Sequence, residues 1–275
     1  MNPRLAAHLD ALNALSTASH HAISAGWMAQ DLIHGTTFAH QSHRRFLAAS
    51  TIKLPLLMCY AQHRHHPQFQ SPYHWQASDH VEDSPFFEKG QPGQTLSWDT
   101  LAEWMMILSD NAATNLLIQA LGLPTLHTYI QHLPVELPHT VLARLMMDAE
   151  ARAAGRENWT SPQDMAALMA ALVQGQCLDA TATRWVLDIL FRCEDPEKIP
   201  FLFRPPLEVA NKPGELPGLR ADVAYIHNGH FASGKPPSQA VVMAIFCDGV
   251  TPEAETACDL WQAELAQILW QLLCP

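Results

Sequence analysis

The stretch FLAASTIKLPLL, residues 46–57, places a hydroxyl and an amine in a run of otherwise apolar side chains. If the stretch is helical, Ser50 and Lys53 share one face, because residues three apart are neighbours on a helix. Apolar surroundings disfavour the charged form of a lysine and lower its pKa, and a neutral amine can take the proton of a nearby hydroxyl. The stretch therefore predicts an activated serine nucleophile. The structural alternative is that Ser50 caps a helix and Lys53 extends its amine to solvent.

The composition of the chain narrows the class of protein. Its 275 residues, 48% of them hydrophobic, suffice for one large domain or two interleaved subdomains. The net charge is −11, and no basic run exceeds Arg44–Arg45, so a nucleic acid partner is not expected. The six cysteines form no C-x-x-C pair and are expected to be reduced. The sixteen histidines follow no ligand pattern, so neither a metal nor another cofactor is expected.

The first residues show helical spacing and no targeting signal. Leu5, Leu9 and Leu12 recur at helical intervals, which predicts an amphipathic helix of the mature protein. No stretch has the length of a membrane span, so a membrane partner is not expected. The expected location is cytoplasmic, and a periplasmic or secreted location would require that the N-terminus had been trimmed. A monomer is expected, with a dimer left open.

Strand patterns lie near both ends of the chain, and helical patterns lie between them. Gly and Pro punctuate the strand-like segments, which alternate or run apolar over short distances. The expected strands are residues 21–31, 36–49, 207–216, 219–229 and 239–249. The expected helices are residues 50–66, 96–121 with a break at SDN, 161–190 and 252–273, and residues 67–95 are expected to be a loop-rich crossing.

This order of elements predicts an α/β (α+β) fold. An antiparallel sheet of about five strands would be built from both termini and flanked by helices, with an all-helical subdomain inserted into it. The sheet subdomain is expected to span residues 1–48 and 193–275, and the helical subdomain residues 49–192. The active site is expected at their interface.

Two further motifs accompany Ser50 and Lys53. The sequence SDN, residues 109–111, interrupts a helical pattern, and its hydroxyl and amide groups can act as a proton relay and a substrate clamp. The sequence KPG, residues 212–214, lies on an expected strand, where the glycine would let a ligand approach the backbone. S-x-x-K, SDN and K-T-G in this order form the signature of class A β-lactamases and penicillin-binding proteins.

The chain resembles the penicillin-recognising serine hydrolases, and it is most similar to class A β-lactamases. Ser109 follows Ser50 by 59 residues, and Lys212 follows Ser109 by 103 residues. The order and both spacings agree with the family, as do the flanks AASTIKLPLL, SDNAATNLLI and TSPQDMAALM. The resemblance runs from about residue 20 to the C-terminus, and it implies the β-lactamase fold.

The resemblance also implies four catalytic roles. Ser50 would be the nucleophile that forms an acyl-enzyme, and Lys53 the base for acylation or part of the proton relay. Ser109 would pass a proton to the departing nitrogen, and Lys212 would tune that hydroxyl by its charge.

The implied substrate-binding residues lie on the same motifs. Asn111 would hold the amide of the substrate. The backbone N–H groups of Ser50 and of Glu215, directly after Gly214, would form the oxyanion hole. Arg220, followed by Asp222, lies near the place where the family often has a basic residue that binds a carboxylate.

The first departure from the family concerns deacylation. In class A enzymes a loop opens with Arg, followed two residues later by the Glu that activates water and four further on by Asn. Aligned from Arg144, this chain has Met146 at the Glu and Glu150 at the Asn. Asp148 and Glu150 are candidate substitutes, although a water-activating carboxylate tolerates little displacement. Both are equally compatible with solvated helix charges.

The second departure concerns recognition of a β-lactam carboxylate. Pro213 stands where the family has Thr or Ser, and it offers neither a hydroxyl nor an N–H group. Asp83 stands where an aromatic residue is common, and its charge would repel an anionic drug. The acylation groups are retained, whereas deacylation and carboxylate recognition are weakened.

These motifs predict a β-lactamase-type serine hydrolase that acts on amide or ester bonds through a Ser50 acyl-enzyme. The expected partner is a small amide or ester, β-lactams among them, with weak or slow β-lactam hydrolysis. Two alternatives stay open: a hydrolase of a non-β-lactam ester or peptide, and a penicillin-binding relic without turnover. The retention of Ser50, Lys53, Ser109 and Lys212 disfavours the relic.

Overall fold

A five-stranded antiparallel sheet forms the centre of the computed structural model, which describes residues 2–19, 21–86, 93–229, 231 and 236–275. The strands are, in chain order, β1 Ser24–Asp31, β2 Thr37–His40, β3 Phe46–Leu47, β4 Tyr73–His74, β5 Thr95–Leu96, β6 Trp159–Thr160, β7 Glu208–Leu216, β8 Leu219–His227 and β9 Ala240–Asp248. The central sheet has the order β2-β1-β9-β8-β7. Strands from both ends of the chain therefore meet in one sheet, which confirms the predicted fold class.

Helices cover both faces of this sheet. They are, in chain order, α1 Pro3–Ala18, α2 Lys53–His63, α3 Trp98–Ile107, α4 Asn111–Leu121, α5 Leu123–Gln131, α6 Ala149–Ala153, α7 Pro162–Val173, α8 Ala180–Phe191 and α9 Glu255–Leu273. The helices α1 and α9 pack on one face of the sheet and form one hydrophobic core with it. The helix α7 packs on the other face, where α2 and the remaining long helices complete a second hydrophobic core. Within the described residues, no helix is long and apolar enough to cross a membrane.

The central strand of the sheet, β9, explains the apolar run VVMAIFC near the C-terminus. Eight of its nine residues are buried. Val242 belongs to the core under α7, and its neighbour Val241 belongs to the core under α1 and α9. A strand covered on both faces has no solvent side, so it carries a continuous apolar sequence instead of an alternating one.

The capping residues fix where the helices begin around the site. Ser161 Oγ accepts a hydrogen bond from Asp164 N at 3.1 Å, with Pro162 in the first helical position of α7, so this helix begins where the predicted helix 161–190 does. Asp110 Oδ1 accepts from Ala113 N at 2.8 Å and caps α4 in the same way. The SDN break is therefore the capped start of a new helix.

Three segments differ from the sequence prediction. Residues 36–49 divide into β2 and β3, because Gln41 has a positive φ of 44° and the chain leaves the sheet there to pair β3 with β6. The predicted helix 161–190 is two helices, since Gly175, with φ 69°, follows the end of α7. The crossing at 67–95 contains short turns and the pair β4–β5, and its residues 87–92 lie outside the described residues.

Candidate active site

Ser50 lies on a single 3-10 turn, Ala49–Ile52, that leads directly into α2. Ala49 has a positive φ of 45°, which is uncommon for a residue with a Cβ atom and turns the chain sharply before the serine. The edge strand β7 packs against this turn at Gly214. A Cβ atom at Gly214 would lie 3.1 Å from the backbone nitrogen of Thr51. The glycine thus lets the backbone that carries Ser50 approach β7 closely, and its expected contact with a ligand stays a prediction.

The SDN turn approaches Ser50 from the opposite side. Ser109 has a φ of 57° and links α3 to α4, so its side chain leaves the helical path. Its hydroxyl Oγ donates a hydrogen bond to Ser50 Oγ at 2.9 Å. Ser50 is therefore flanked by the SDN turn on one side and by β7 on the other.

Lys53 lies one helical turn after Ser50, but its amine contacts the SDN turn. The Nζ atom donates to the backbone oxygen of Ser109 at 2.6 Å, to Ser109 Oγ at 3.2 Å and to Asn111 Oδ1 at 2.9 Å. Among the hydrogen bonds of the described residues, none joins Lys53 directly to Ser50. The polar chain therefore runs from Lys53 through Ser109 to Ser50.

The environment of Lys53 favours the neutral amine. The side chain is 0% exposed. Burial lowers the pKa of Lys53 well below its ordinary value, and the nearby charge of Lys212 lowers it further, against the opposing effect of Asp110 and Asp83. The snorkelling alternative is thereby excluded, because the amine does not reach solvent.

Lys212 and Pro213 lie on β7, next to Gly214. Lys212 is 1% exposed, and burial lowers its pKa although neighbouring acidic groups oppose this. The described hydrogen bonds include none from Lys212 to Ser109, and the charge of Lys212 instead lowers the pKa of Lys53. Pro213 pairs with Asp222 of β8, and the edge position of β7 accommodates a residue that lacks an N–H group.

The side chains of Glu215 and Arg220 are engaged with each other and with Lys198, a residue that the sequence analysis did not identify. Lys198 Nζ and Arg220 Nη1 contact the two carboxylate oxygens of Glu215, the latter at 2.8 Å. Arg220 also pairs with Glu255 and lies 3.9 Å from Asp259. Arg220 is thus held by carboxylates of the protein itself. Lys198 stands alone in the acidic stretch EDPEKIP, where no periodic pattern indicates a pairing.

Asp222 of β8, which pairs with Pro213 of β7, belongs to the same cluster of charged side chains. Its carboxylate accepts hydrogen bonds from Ile199 N at 3.1 Å and from Asn211 Nδ2 at 3.2 Å. Burial raises the pKa of Asp222 to about 7, despite the opposing charge of Lys198. Asp222 therefore supports the strand from behind and does not face Ser50.

Met146 is the residue that an ungapped alignment from Arg144 matches to the water-activating Glu, and Asn115 binds its backbone at both polar groups. Asn115 Oδ1 accepts from Met146 N at 2.7 Å, and Asn115 Nδ2 donates to Met146 O at 3.1 Å. The Met146 side chain is buried. The sequence analysis did not single out Asn115, although it lies one helical turn after Asn111 on the same face.

The two candidate carboxylates of this loop are directed elsewhere. Asp148 Oδ1 accepts from Ala151 N at 2.8 Å and caps α6, and Glu150 is exposed on that short helix. The loop is closed by the ion pair of Arg144 with Glu157 at 2.8 Å. Neither candidate contacts Ser50 or Lys53 in the hydrogen bonds of the described residues.

Within the described part of the chain, no set of three or more His, Cys, Asp or Glu side chains converges in a metal-binding arrangement. A cavity of about 470 Å³ lies between α2 and α5, lined by His63, Tyr129 and Cys177 among others, and contains none of the residues above.

Comparison with known proteins agrees with this arrangement. The model of the beta-lactamase enzyme family matches residues 7–273. A beta-lactamase from Sphaerobacter thermophilus is 25% identical, with a TM-score of 0.80 over 98% of both chains. A class A beta-lactamase from Mycobacterium abscessus is 22% identical, with a TM-score of 0.80 over 98% of this chain and 100% of that one.

A third structure is an acyl-enzyme complex of PBP-A, with one Leu replaced by Glu, and penicillin G. It is 22% identical, with a TM-score of 0.80 over 96% of this chain and 95% of that one. Among curated proteins no match to the chain is found. The match over nearly the whole length, together with the serine, lysine and SDN groups gathered at one turn, shows that the chain belongs to the beta-lactamase enzyme family.

Proposed function

We propose that this protein is a serine hydrolase that cleaves amide or ester bonds through an acyl-enzyme on Ser50, and that it turns over β-lactams slowly. The observation that carries the proposal is the hydrogen-bonded chain from Lys53 through Ser109 to Ser50. These hydrogen bonds join the buried amine of Lys53 to the partly buried hydroxyl of Ser50, with 3.2 Å from Lys53 Nζ to Ser109 Oγ and 2.9 Å from Ser109 Oγ to Ser50 Oγ.

The contacts of Lys53 support a specific direction of proton transfer. The backbone oxygen of Ser109 and Oδ1 of Asn111 can only accept hydrogen bonds, so they take both N–H groups of a neutral amine. The lone pair of the amine then faces Ser109 Oγ. Because hydroxyl hydrogens rotate freely, Ser109 can donate to Lys53 while it accepts from Ser50.

Acylation follows from this arrangement. Ser50 Oγ attacks the carbonyl carbon, and its proton passes to Ser109 while the Ser109 proton passes to Lys53. Collapse of the tetrahedral intermediate breaks the bond to the leaving group, which receives a proton back from Lys53 through Ser109. The charge of Lys212 opposes protonation of Lys53 and so keeps the base available.

The backbone N–H groups of Ser50 and Glu215 are the proposed oxyanion donors. Pro213 has no N–H group, and residues two apart on a strand direct their N–H groups to the same edge. The N–H group of Glu215 therefore belongs to the free edge of β7, away from β8. Donors on this edge would stabilise the oxyanion, which is usually a large electrostatic contribution to catalysis.

Two further assignments belong to the proposal. The chain divides into a sheet subdomain, residues 1–48 and 193–275, and a helical subdomain, residues 49–192, with Ser50 at their interface. Asn111 binds the substrate amide. Its Nδ2 group, which donates to the backbone oxygen of Glu82 at 3.2 Å, must exchange that hydrogen bond for one to the substrate.

A second candidate is a hydrolase of a non-β-lactam ester or peptide. Pro213 and the engaged Arg220 favour it, because both remove groups that would bind the carboxylate of a β-lactam. The PBP-A variant that forms an acyl-enzyme with penicillin G supports β-lactams as acylating agents on this fold, whichever substrate is natural.

Labelling of Ser50 tests the proposal. An uncharged fluorophosphonate and a reactive β-lactam should each add their mass once, at Ser50, in intact-protein and peptide mass spectrometry. Ser50→Ala should abolish both adducts, and Ser78→Ala, at an exposed serine, should leave them unchanged. No adduct, or an adduct that survives Ser50→Ala, contradicts the proposal and favours a binding protein without turnover.

A further inference from the structure

Three carboxylates border the Ser50 site. Glu82 and Asp83 are exposed and lie against the SDN turn, since their backbone oxygens accept from Asn111 Nδ2 and Asn111 N, each at 3.2 Å. In the part of the chain that the structure describes, neither side chain has an ion-pair partner. On the other side, the Glu215 side chain is 44% exposed and directly follows Gly214 on the edge of β7.

The cations on the β7 side are already neutralised. Lys198 contacts Glu215 and lies 3.7 Å from Asp195. Arg220 contacts Glu215 at 2.8 Å, and Glu255 and Asp259 lie on its other sides. Burial lowers the pKa of Lys198, but the charges of Asp195 and Glu215 outweigh it and raise the pKa, so the ion pair is retained. Because Lys198 and Arg220 are both paired with Glu215, neither is free to bind an anionic substrate.

The lysines nearest Ser50 do not replace them. Lys53 and Lys212 are 0% and 1% exposed, so neither presents an ammonium group at the surface of the site. Burial also disfavours the charged form of both. Pro213 adds no hydroxyl that could bind a carboxylate. Among the described residues, an anionic substrate would meet exposed carboxylates and no exposed, unpaired cation at this site.

We propose that the enzyme selects esters and amides without negative charge near the scissile bond, and that Glu215 and Asp83 exclude carboxylate-bearing substrates. The inference rests on the proposed function, since it describes the substrate class of the Ser50 acylation. Like charges at the rim of a site lower the rate of encounter and raise the cost of binding, and salt screens both effects.

A matched pair of substrates tests this inference. A chromogenic cephalosporin and its methyl ester share the scissile bond and differ by one negative charge. The native protein should be acylated faster by the methyl ester. Glu215→Gln and Asp83→Asn should each raise kcat/KM for the acid relative to the ester by about fivefold, the scale of a single exposed charge interaction. Glu136→Gln, at an exposed carboxylate between α5 and α6, is the matched control and should not change this ratio.

The outcomes separate the inference from the proposed function. Preference of the native protein for the acid, or an unchanged ratio in both variants, overturns the inference while acylation at Ser50 stands. If Glu215→Gln fails to fold, Asp83→Asn decides, because the Asp83 side chain is exposed. If the uncharged fluorophosphonate does not label Ser50, the proposed function fails, and this inference fails with it. Added salt should reduce the difference in kcat/KM between the cephalosporin acid and its methyl ester.

Discussion

The polar groups around Ser50 and those of the loop at residues 142–158 are used in different ways. Around Ser50, the hydrogen bonds of Lys53 and Ser109 form a chain that ends at an accessible hydroxyl. In the loop, the polar side chains bind the backbone of the loop itself. Asn158 Oδ1 accepts from Ala143 N at 2.8 Å, and Asp148 caps α6.

This difference separates two chemical steps that share one site. Acylation needs a nucleophile, a base and oxyanion donors, and the groups proposed for these roles lie at the Ser50 turn, on α2 and on β7. Deacylation needs a base that holds water against the acyl group, and Met146 lacks any such group. We therefore expect an enzyme that forms its covalent intermediate more readily than it releases it.

The largest expected effect concerns release of the acyl group. A β-lactam adduct on Ser50 should be long-lived, and Met146→Glu should shorten its lifetime by about a hundredfold or more, the scale of a positioned general base. Met147→Glu, at the exposed neighbouring residue, is the matched control and should leave the lifetime unchanged. The decay of the adduct mass after removal of free β-lactam measures both.

Fast turnover by the native protein would remove this distinction between the two steps. If penicillins are hydrolysed at about a hundred per second or faster, a carboxylate already serves deacylation. Loss of that activity in Asp148→Asn or Glu150→Gln would then identify the carboxylate.

The second effect concerns the base for acylation. Lys53→Ala should slow Ser50 labelling by about a hundredfold, with the fold retained. In the native protein the labelling rate should fall as the pH drops through the lowered pKa of Lys53, because protonation removes the lone pair that faces Ser109. The variant should lose this pH dependence. If Lys53→Ala is labelled at nearly the native rate, the role of Lys53 is structural and not catalytic.

The third effect lies in the loop and should be confined to stability. Asn115→Ala removes the amide that binds both Met146 N and Met146 O, and the loss of these buried hydrogen bonds should cost about 2–4 kcal/mol of unfolding free energy. Urea unfolding measures the loss, with Asn13→Ala on the exposed face of α1 as the control. The labelling rate of Ser50 should change little, and a loss as large as that of Lys53→Ala would join the two regions into one functional unit.

The sequence predicted the parts of the molecule that depend on local chemistry. Turn residues and apolar runs indicated the five strands, and the predicted helix start at residue 161 and the break at SDN both coincide with capped helix starts. Ser50 and Lys53 lie on consecutive turns of one segment, but the amine of Lys53 binds the SDN turn and not Ser50 directly.

The sequence could not predict which side chains far apart in the chain contact one another. The amine of Lys53 meets Ser109, 56 residues away, and Glu215 meets Lys198 across a loop. These contacts depend on the packing of the SDN turn and β7 around one residue. The packing of Gly214 against the Ser50 turn could not be predicted for the same reason, since that backbone lies far away in the sequence.

The smallest expected effect is the pH dependence of the unfolding free energy that comes from Asp222, next to the Ser50 site and remote from the loop at residues 142–158. Asp222 supports β7 from behind, and burial raises its pKa to about 7 from an ordinary value of 3.8. The folded protein then holds a proton on Asp222 that the unfolded chain releases above pH 4. The stabilisation from this group is complete below pH 4 and declines as the pH rises to 7.

Asp222→Asn should remove this decline, so that the variant gains roughly 1–3 kcal/mol of unfolding free energy relative to the native protein between pH 5 and pH 8. Asp10→Asn, at an exposed carboxylate of α1, should leave the native profile unchanged. Urea unfolding at both pH values measures the difference, and parallel profiles for Asp222→Asn and the native protein would show that Asp222 is ionised throughout.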